Sequence, residues 1–288
     1  MSALASTYQL QGRYNEAEKL QVEVMEMSKR LPGDNHPYTL YSMHSLAVTY
    51  RSQDRWADAE RLQVEVVEAT KQLGAHHPSA LLSISNLAST YWNQGRYDDA
   101  EKLQVEVLET RKRLLGVDHP NTLSSMANLA AMYWRQGRYD EAEKLQVEVM
   151  KMRKQLLGDN HPDTLRIMYN LALTYKSQDR LADAEKLEVE VVEARKRVLG
   201  VHHPDTLSSM NNLAATYLNQ DRLDDAEKLL VEVVEASRKQ LGASHSTTLL
   251  SLGNLALTYR LQGQDDDAKK LEDEVEQVRN QALVPTNL

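Results

Sequence analysis

The chain has 288 residues, a net charge of −8 and no cysteine. The lack of cysteine excludes disulfides, thiol nucleophiles and cysteine-ligated zinc, and it suits a reducing compartment. The acidic balance argues against a general nucleic-acid binder, and no apolar run or basic leader indicates a membrane or secreted protein, so we expect a cytoplasmic one.

One sequence pattern recurs along the chain, and a tyrosine marks it in every copy: Tyr8, Tyr50, Tyr91, Tyr133, Tyr175, Tyr217 and Tyr259. Successive markers are 42, 41, 42, 42, 42 and 42 residues apart. Such a period predicts an array of small supersecondary units. We expect a single repeat domain over 1–283, with repeats at about 1–33, 34–74, 75–116, 117–158, 159–200, 201–242 and 243–283, and a frayed tail at 284–288.

Each repeat has the pattern of two helices, and the fourth shows it most completely. Pro120 suits a first helical turn, and Gly137 ends the helix, with Asp replacing this Gly at Asp54, Asp179 and Asp221. The apolar residues of the first helix predict one buried face: Leu123, Met126, Leu129, Ala130 and Tyr133. The second helix, closed by Gly158, has its own apolar face: Ala142, Leu145, Val149 and Leu156.

The spacing of these residues resembles the tetratricopeptide repeat: Met126-x2-Leu129-Ala130-x2-Tyr133-x3-Gly137-x-Tyr139-x2-Ala142. Met and Ala stand where that family usually has Trp and Gly. The 42-residue length and the connector "LGVDHPNTL" are similar to kinesin light chain and to the sensor arrays of fungal NOD-like receptor ATPases. The resemblance implies an all-α, right-handed superhelical solenoid of about seven helix-turn-helix units, whose first helices line a concave groove.

The resemblance also implies a peptide-binding row five residues before the markers: Asn86, Asn128, Asn170, Asn212 and Asn254. An amide side chain both donates and accepts, so it can pair with the backbone of any extended peptide. The alternative is that each Asn bonds within the scaffold, and both roles can hold together.

Two neighbouring positions vary between repeats while most of the pattern does not. The residue after the marker is Arg51, Trp92, Trp134, Lys176, Leu218 or Arg260, and the residue six before it includes Tyr169. We interpret this variation as a different pocket at each step of the groove. Drift at exposed sites is the alternative.

The first helices are net basic although the chain is acidic, through Arg51, Arg135, Arg166, Lys176 and Arg260. This predicts a groove for an acidic peptide, with Trp92 and Trp134 contacting an apolar anchor. Alternatively, the two tryptophans pack against the adjoining helix.

We find no pattern that indicates an enzyme, a cofactor or a metal site. The adjacent pairs His76-His77 and His202-His203 do not share a helix face, and the histidines before proline have a structural position. The arginine after each turn, as at Arg55 and Arg96, is interpreted as a scaffold residue rather than a ligand contact.

The two ends differ from the other repeats. The first repeat lacks its "HPxTL" start, which suggests a fragment or truncated gene product whose exposed face could self-associate. The last repeat is polar, as a cap requires. Besides a peptide-binding scaffold, two alternatives stay open: the sensor region of a multidomain ATPase that contacts a folded partner, and an engineered consensus-like repeat protein.

Overall fold

The computed structural model describes residues 1–31, 33–72, 74 and 77–283, and this part of the chain holds fourteen α-helices and no strand. The helices in chain order are α1 (Ser2–Leu10), α2 (Tyr14–Arg30), α3 (Pro37–Ser52), α4 (Trp56–Lys71), α5 (Pro78–Asn93), α6 (Tyr97–Leu115), α7 (Pro120–Arg135), α8 (Tyr139–Leu157), α9 (Pro162–Ser177), α10 (Leu181–Leu199), α11 (Pro204–Asn219), α12 (Leu223–Leu241), α13 (Ser246–Leu261) and α14 (Asp265–Leu283). The predicted all-α class of paired helices is confirmed.

The chain forms two compact units, and the division falls within α7. The N-terminal unit is Met1–Leu129, and the C-terminal unit is Ala130–Leu288. In the N-terminal unit each helix from α1 to α6 packs on the next, and in the C-terminal unit the same holds from α8 to α14. Helices of odd number are the first helices of the repeats, and helices of even number are the second helices.

The first helices other than α1 begin at a histidine cap. The Nδ1 atom of the residue before the helix accepts a hydrogen bond from the backbone N–H two residues later, at 3.1–3.2 Å, in His36, His77, His119, His161, His203 and His245. Proline follows the cap in most repeats, where its missing N–H has no cost. The structural interpretation of these histidines is confirmed, while His76 lies outside the described residues.

The turns and the cores follow the predicted pattern with one exception. Asp54, Asp179 and Asp221 have φ of 58°, 60° and 60°, the left-handed conformation expected of residues that replace Gly. All but one of the residues predicted on the apolar faces of α7 and α8 are at least partly buried. Leu156 is 52% exposed, so its predicted burial was wrong. It lies in the last turn of α8. This helix has 19 residues and is longer than the 16-residue first helix α9 that packs on it.

The arginine after each turn links consecutive repeats. Arg55 stacks on the ring of Tyr50 at 4.2 Å, and it donates to Asp58 in its own repeat and to Glu18 in the preceding one, at 2.9 and 2.7 Å. These bonds raise the pKa of the guanidinium above its ordinary value. An equivalent pair, Arg96–Glu60, joins α4 to the next repeat. Two more lie in the C-terminal unit: Arg180–Glu143 and Arg222–Glu185. The predicted scaffold role is confirmed for these residues.

A second link joins a buried glutamine of one repeat to a threonine of the next. Thr49, Thr90 and Thr174 donate to the Oε1 atoms of Gln21, Gln63 and Gln146, at 2.6, 2.5 and 2.7 Å. At the equivalent place in α10 the acceptor is a carboxylate, because Thr216 donates to Glu188 at 2.5 Å.

Candidate peptide-binding surface

One side of each first helix carries the positions nine, six, five and two residues before the marker tyrosine and the position after it, and we call this side the variable face. Most residues at these positions are at least partly exposed, whereas Ser85 and Asn211 are buried. In the N-terminal unit the variable face includes Arg51, Asn86, Trp92 and Asn128 among the predicted site residues. The other predicted residues belong to the C-terminal unit: Trp134, Arg135, Arg166, Tyr169, Asn170, Lys176, Asn212, Asn254 and Arg260.

The asparagine row reaches solvent. Asn128 is exposed, and Asn86, Asn170, Asn212 and Asn254 are partly exposed. Two of these residues also bond within the scaffold, each to the preceding repeat. The Nδ2 atom of Asn86 lies 3.4 Å from Nδ1 of His44, and the Nδ2 atom of Asn254 donates to Oδ1 of Asn211 at 3.2 Å.

These two bonds still leave capacity for a ligand. An amide has two N–H donors and an oxygen with two lone pairs, so one bond uses a minor part of it. Burial, and less strongly the charge of Arg51, lowers the pKa of His44, which favours the neutral ring that can accept from Asn86. Scaffold and ligand contacts are therefore compatible at Asn86 and Asn254.

The two tryptophans contact the start of the second helix in their own repeat. The ring centroids of Trp92 and Tyr97 are 4.5 Å apart, and those of Trp134 and Tyr139 are 6.5 Å apart. The Nε1 atom of Trp134 also donates to Oγ of Ser177 at 3.2 Å. Both tryptophans stay partly exposed, so an apolar group can still stack on them.

Three of the five predicted basic residues have acidic partners. Arg260 donates to both carboxylate oxygens of Glu272, at 2.6 and 2.7 Å. Arg166 pairs with Asp163 at 2.8 Å. Lys176 lies 3.6 Å from Oε1 of Glu188, which is only 3% exposed.

The other two basic residues, Arg51 and Arg135, form no ion pair among the residues that the structure describes. Arg51 is partly buried, and burial lowers its pKa without an acid to oppose the shift. Of these two arginines only Arg51 occupies a position of the variable face, because Arg135 stands two residues after its marker Tyr133.

The acidic partners follow a rule that the sequence reasoning missed. Lys176 and Glu188, and likewise Arg260 and Glu272, are twelve residues apart. At the same spacing Leu218 and Leu230 belong to one apolar cluster. The residue after the marker therefore varies together with a residue on the second helix. This covariation between repeats was visible in the sequence, and it could have predicted the pairs.

A cavity of about 390 Å³ opens beside the variable face of the N-terminal unit, between α3 and α5. Tyr41 and Leu82, which are 60% and 56% exposed, line it together with His44 and Asn86. Val66 of α4 also contributes to the lining. The sequence reasoning did not single out Tyr41 or Leu82, because each reads as one more apolar residue of a helix.

The profile of the family described as "Tetratricopeptide repeat" matches residues 1–72, 79–155, 127–197 and 205–281. The chain belongs to the tetratricopeptide repeat family. The resemblance predicted from the sequence is confirmed, and the matches indicate no catalytic family. No curated protein sequence gives a significant match to the chain.

Solved tetratricopeptide repeat structures are similar to this chain. One of them is described as the nearly identical repeats of a kinesin light chain from Podosopora anserina. It is 30% identical to this chain with a TM-score of 0.65, and the match covers 72% of this chain and 99% of that one. BtubC (BKLC) from P. vanneervenii is 22% identical with a TM-score of 0.68, over 77% and 90%.

A third similar structure is a signal transduction ATPase with numerous domains and a tetratricopeptide repeat sensor, from Pyrococcus horikoshii. It is 15% identical with a TM-score of 0.73, over 96% of this chain and 40% of that one. The last two likenesses concern the fold alone.

In the described ranges of this tetratricopeptide repeat chain, no helix has the length and apolar character to cross a membrane. No group of three or more His, Asp or Glu side chains there has the arrangement of a metal site.

Proposed function

We propose that the chain is a non-catalytic interaction scaffold that binds an extended, acidic segment of a partner protein along the variable face of its repeats. One observation carries the proposal: the asparagine row is accessible to solvent at successive repeats, and the bonds of Asn86 and Asn254 to the preceding repeat leave part of each amide free. Backbone-like amides at regular steps suit a peptide whose own amides need partners.

Backbone pairing alone would not hold such a peptide. Five asparagine contacts at about 0.5–1.5 kcal/mol each contribute only a few kcal/mol, whereas association costs at least about 4 kcal/mol. Side-chain contacts must supply the rest, so we expect micromolar affinity, about −8 kcal/mol, for one linear motif.

The N-terminal unit offers the best place for those side-chain contacts. Its cavity of about 390 Å³ has two exposed apolar residues at the opening, Tyr41 and Leu82. Arg51 brings a charge without an acidic partner among the described residues. An apolar anchor followed or preceded by a carboxylate would use both features.

The test is a synthetic peptide array that is probed with the chain and with a variant carrying Asn128→Ala, Asn170→Ala and Asn212→Ala. We expect acidic peptides with one large apolar residue to bind, and the triple variant to lose at least about tenfold in affinity, since each contact contributes about 0.5–1.5 kcal/mol.

The matched control carries Gln155→Ala and Gln240→Ala, which are exposed at the ends of second helices. It should bind like the unaltered chain. Equal binding by the control and the triple variant would remove the asparagine row from the proposal.

The similarity to a tetratricopeptide repeat sensor of an ATPase favours a second candidate, a regulatory array that contacts a folded partner. In that case the peptide array would give no binding, and a folded domain would co-purify with the chain. A cytoplasmic location and self-association through the first repeat both stay predictions.

A further inference from the structure

We propose that Glu188 and Glu272 determine the ligand specificity of the C-terminal unit. By neutralising Lys176 and Arg260, they make this part of the variable face select an uncharged stretch of the bound segment. This inference rests on the proposed peptide-binding function, and it assigns the acidic part of the ligand to other positions.

The scaffold does not require a charge at position 188. In α2, α4 and α8 the equivalent residues are glutamines, and their Oε1 atoms accept the same threonine hydrogen bond at 2.5–2.7 Å. Glu188 makes this bond as well, with Thr216, but it also buries a carboxylate at 3% exposure. A buried carboxylate is costly unless a cation is close to it.

The cation beside Glu188 is Lys176, which lies on the variable face. The side chain of Lys176 is 18% exposed, and its Nζ atom is 3.6 Å from Oε1 of Glu188. This oxygen accepts no hydrogen bond from the residues that the structure describes. Arg260 pairs with Glu272 at hydrogen-bonding distance, and both of these side chains are exposed. In both repeats the carboxylate stands where a ligand carboxylate would otherwise pair with the cation.

On α13 the surface beside Arg260 is uncharged and well suited to a neutral polypeptide. Asn254 donates to Asn211, which is buried. Gly253 has open space beyond its Cα, so a ligand backbone can approach α13 there. The leucines on either side of it, Leu250 and Leu257, are 55% and 46% exposed.

The local charge can be measured without any ligand. We suggest comparing the paramagnetic relaxation of the side-chain amides of Asn170, Asn212 and Asn254 by a cationic and by an anionic nitroxide. In the unaltered chain the anionic probe should have no advantage, because the ion pairs cancel the local charge and the chain as a whole is acidic. In Glu188→Gln and Glu272→Gln the anionic probe should act about twice as strongly.

The control is Glu235→Gln, an exposed glutamate on the second helix α12, which should change nothing at these amides. Glu188→Gln should fold, because glutamine is the residue of the equivalent positions. A strong preference for the anionic probe in the unaltered chain, or no change in the variants, would overturn the proposal.

The specificity itself is tested with two fluorescein-labelled peptides, EEELWEEE and SSSLWSSS. The double variant Glu188→Gln, Glu272→Gln should bind the acidic peptide about five- to tenfold more tightly than the unaltered chain. It should bind the serine peptide with unchanged affinity.

The two experiments separate the inference from the function on which it rests. If the acidic peptide binds both proteins equally well, the specificity role is wrong although peptide binding stands. If no protein binds either peptide while the nitroxide result is as expected, the charge neutralisation stands and the peptide-binding function is wrong.

Discussion

The two compact units carry the same repeat but present different chemistry on the variable face. In the N-terminal unit Arg51 has no acidic partner among the described residues and lies on the helix that lines the cavity with Tyr41. In the C-terminal unit Lys176 and Arg260 are paired with Glu188 and Glu272. A basic residue on a first helix therefore indicates a charged groove only if the residue twelve positions later, on the second helix, is neutral.

The largest expected effect concerns the stability of the C-terminal unit. Lys176→Met leaves Glu188 buried without a cation, and we expect a loss of about 2–3 kcal/mol in the free energy of unfolding. The matched change in the N-terminal unit, Arg51→Met, should cost less than about 0.5 kcal/mol, because no carboxylate loses a partner. Urea denaturation measures both.

Glu188→Gln added to Lys176→Met should restore most of the loss. Equal costs for the two single changes would contradict the difference between the units.

The next effect concerns the cavity. Tyr41→Ser with Leu82→Ser should weaken binding of an acidic peptide with an apolar anchor about 30-fold, since an apolar contact of a few tens of Å² per side chain is lost. Leu250→Ser in the C-terminal unit should weaken it less than about twofold. Fluorescence anisotropy checks both values, and similar losses would show that the anchor does not prefer the N-terminal unit.

A smaller effect is expected from the charge of Arg51. Arg51→Gln should reduce the affinity for the same acidic peptide about fivefold, and the reduction should shrink as salt is added. Lys176→Gln combined with Glu188→Gln should have almost no effect, because the charge removed there is already compensated. A larger effect at Lys176 than at Arg51 would reverse the comparison.

The smallest effect is a dependence of stability on pH. Burial raises the pKa of Glu188 despite the opposing influence of Lys176 and Thr216. The unfolded chain therefore loses this proton first, and ionisation favours unfolding as the pH rises through the unfolded-state pKa. Relative to the unaltered chain, Glu188→Gln should gain stability as the pH rises above about 4, the ordinary range of a glutamate pKa.

Denaturation midpoints measured at increasing pH check the sign of this effect. A gain that shrinks as the pH rises would mean that the pKa of Glu188 is lowered in the folded chain.

Much of the fold was predictable because its signals are local. Pro120 and Gly137 act on the backbone within a turn, and the apolar face from Leu123 to Ala130 is a property of one helix. The burial predicted for Leu156 was wrong, since the exposure of this residue depends on where a neighbouring helix ends.

The candidate site was harder to predict because it depends on contacts between helices. The partner of Arg260 lies twelve residues away on another helix, so its charge could not be judged from α13 alone. The cavity required Tyr41 and Leu82 to come together from consecutive repeats.

The central claim is that a peptide lies along the variable face of the first helices. The most direct test is the NMR shift of the side-chain amides when the tightest acidic peptide from the array is added. We predict that the amides of Asn86, Asn128, Asn170, Asn212 and Asn254 shift, while those of Gln155 and Gln240 do not. Shifts confined to the second helices would contradict the account.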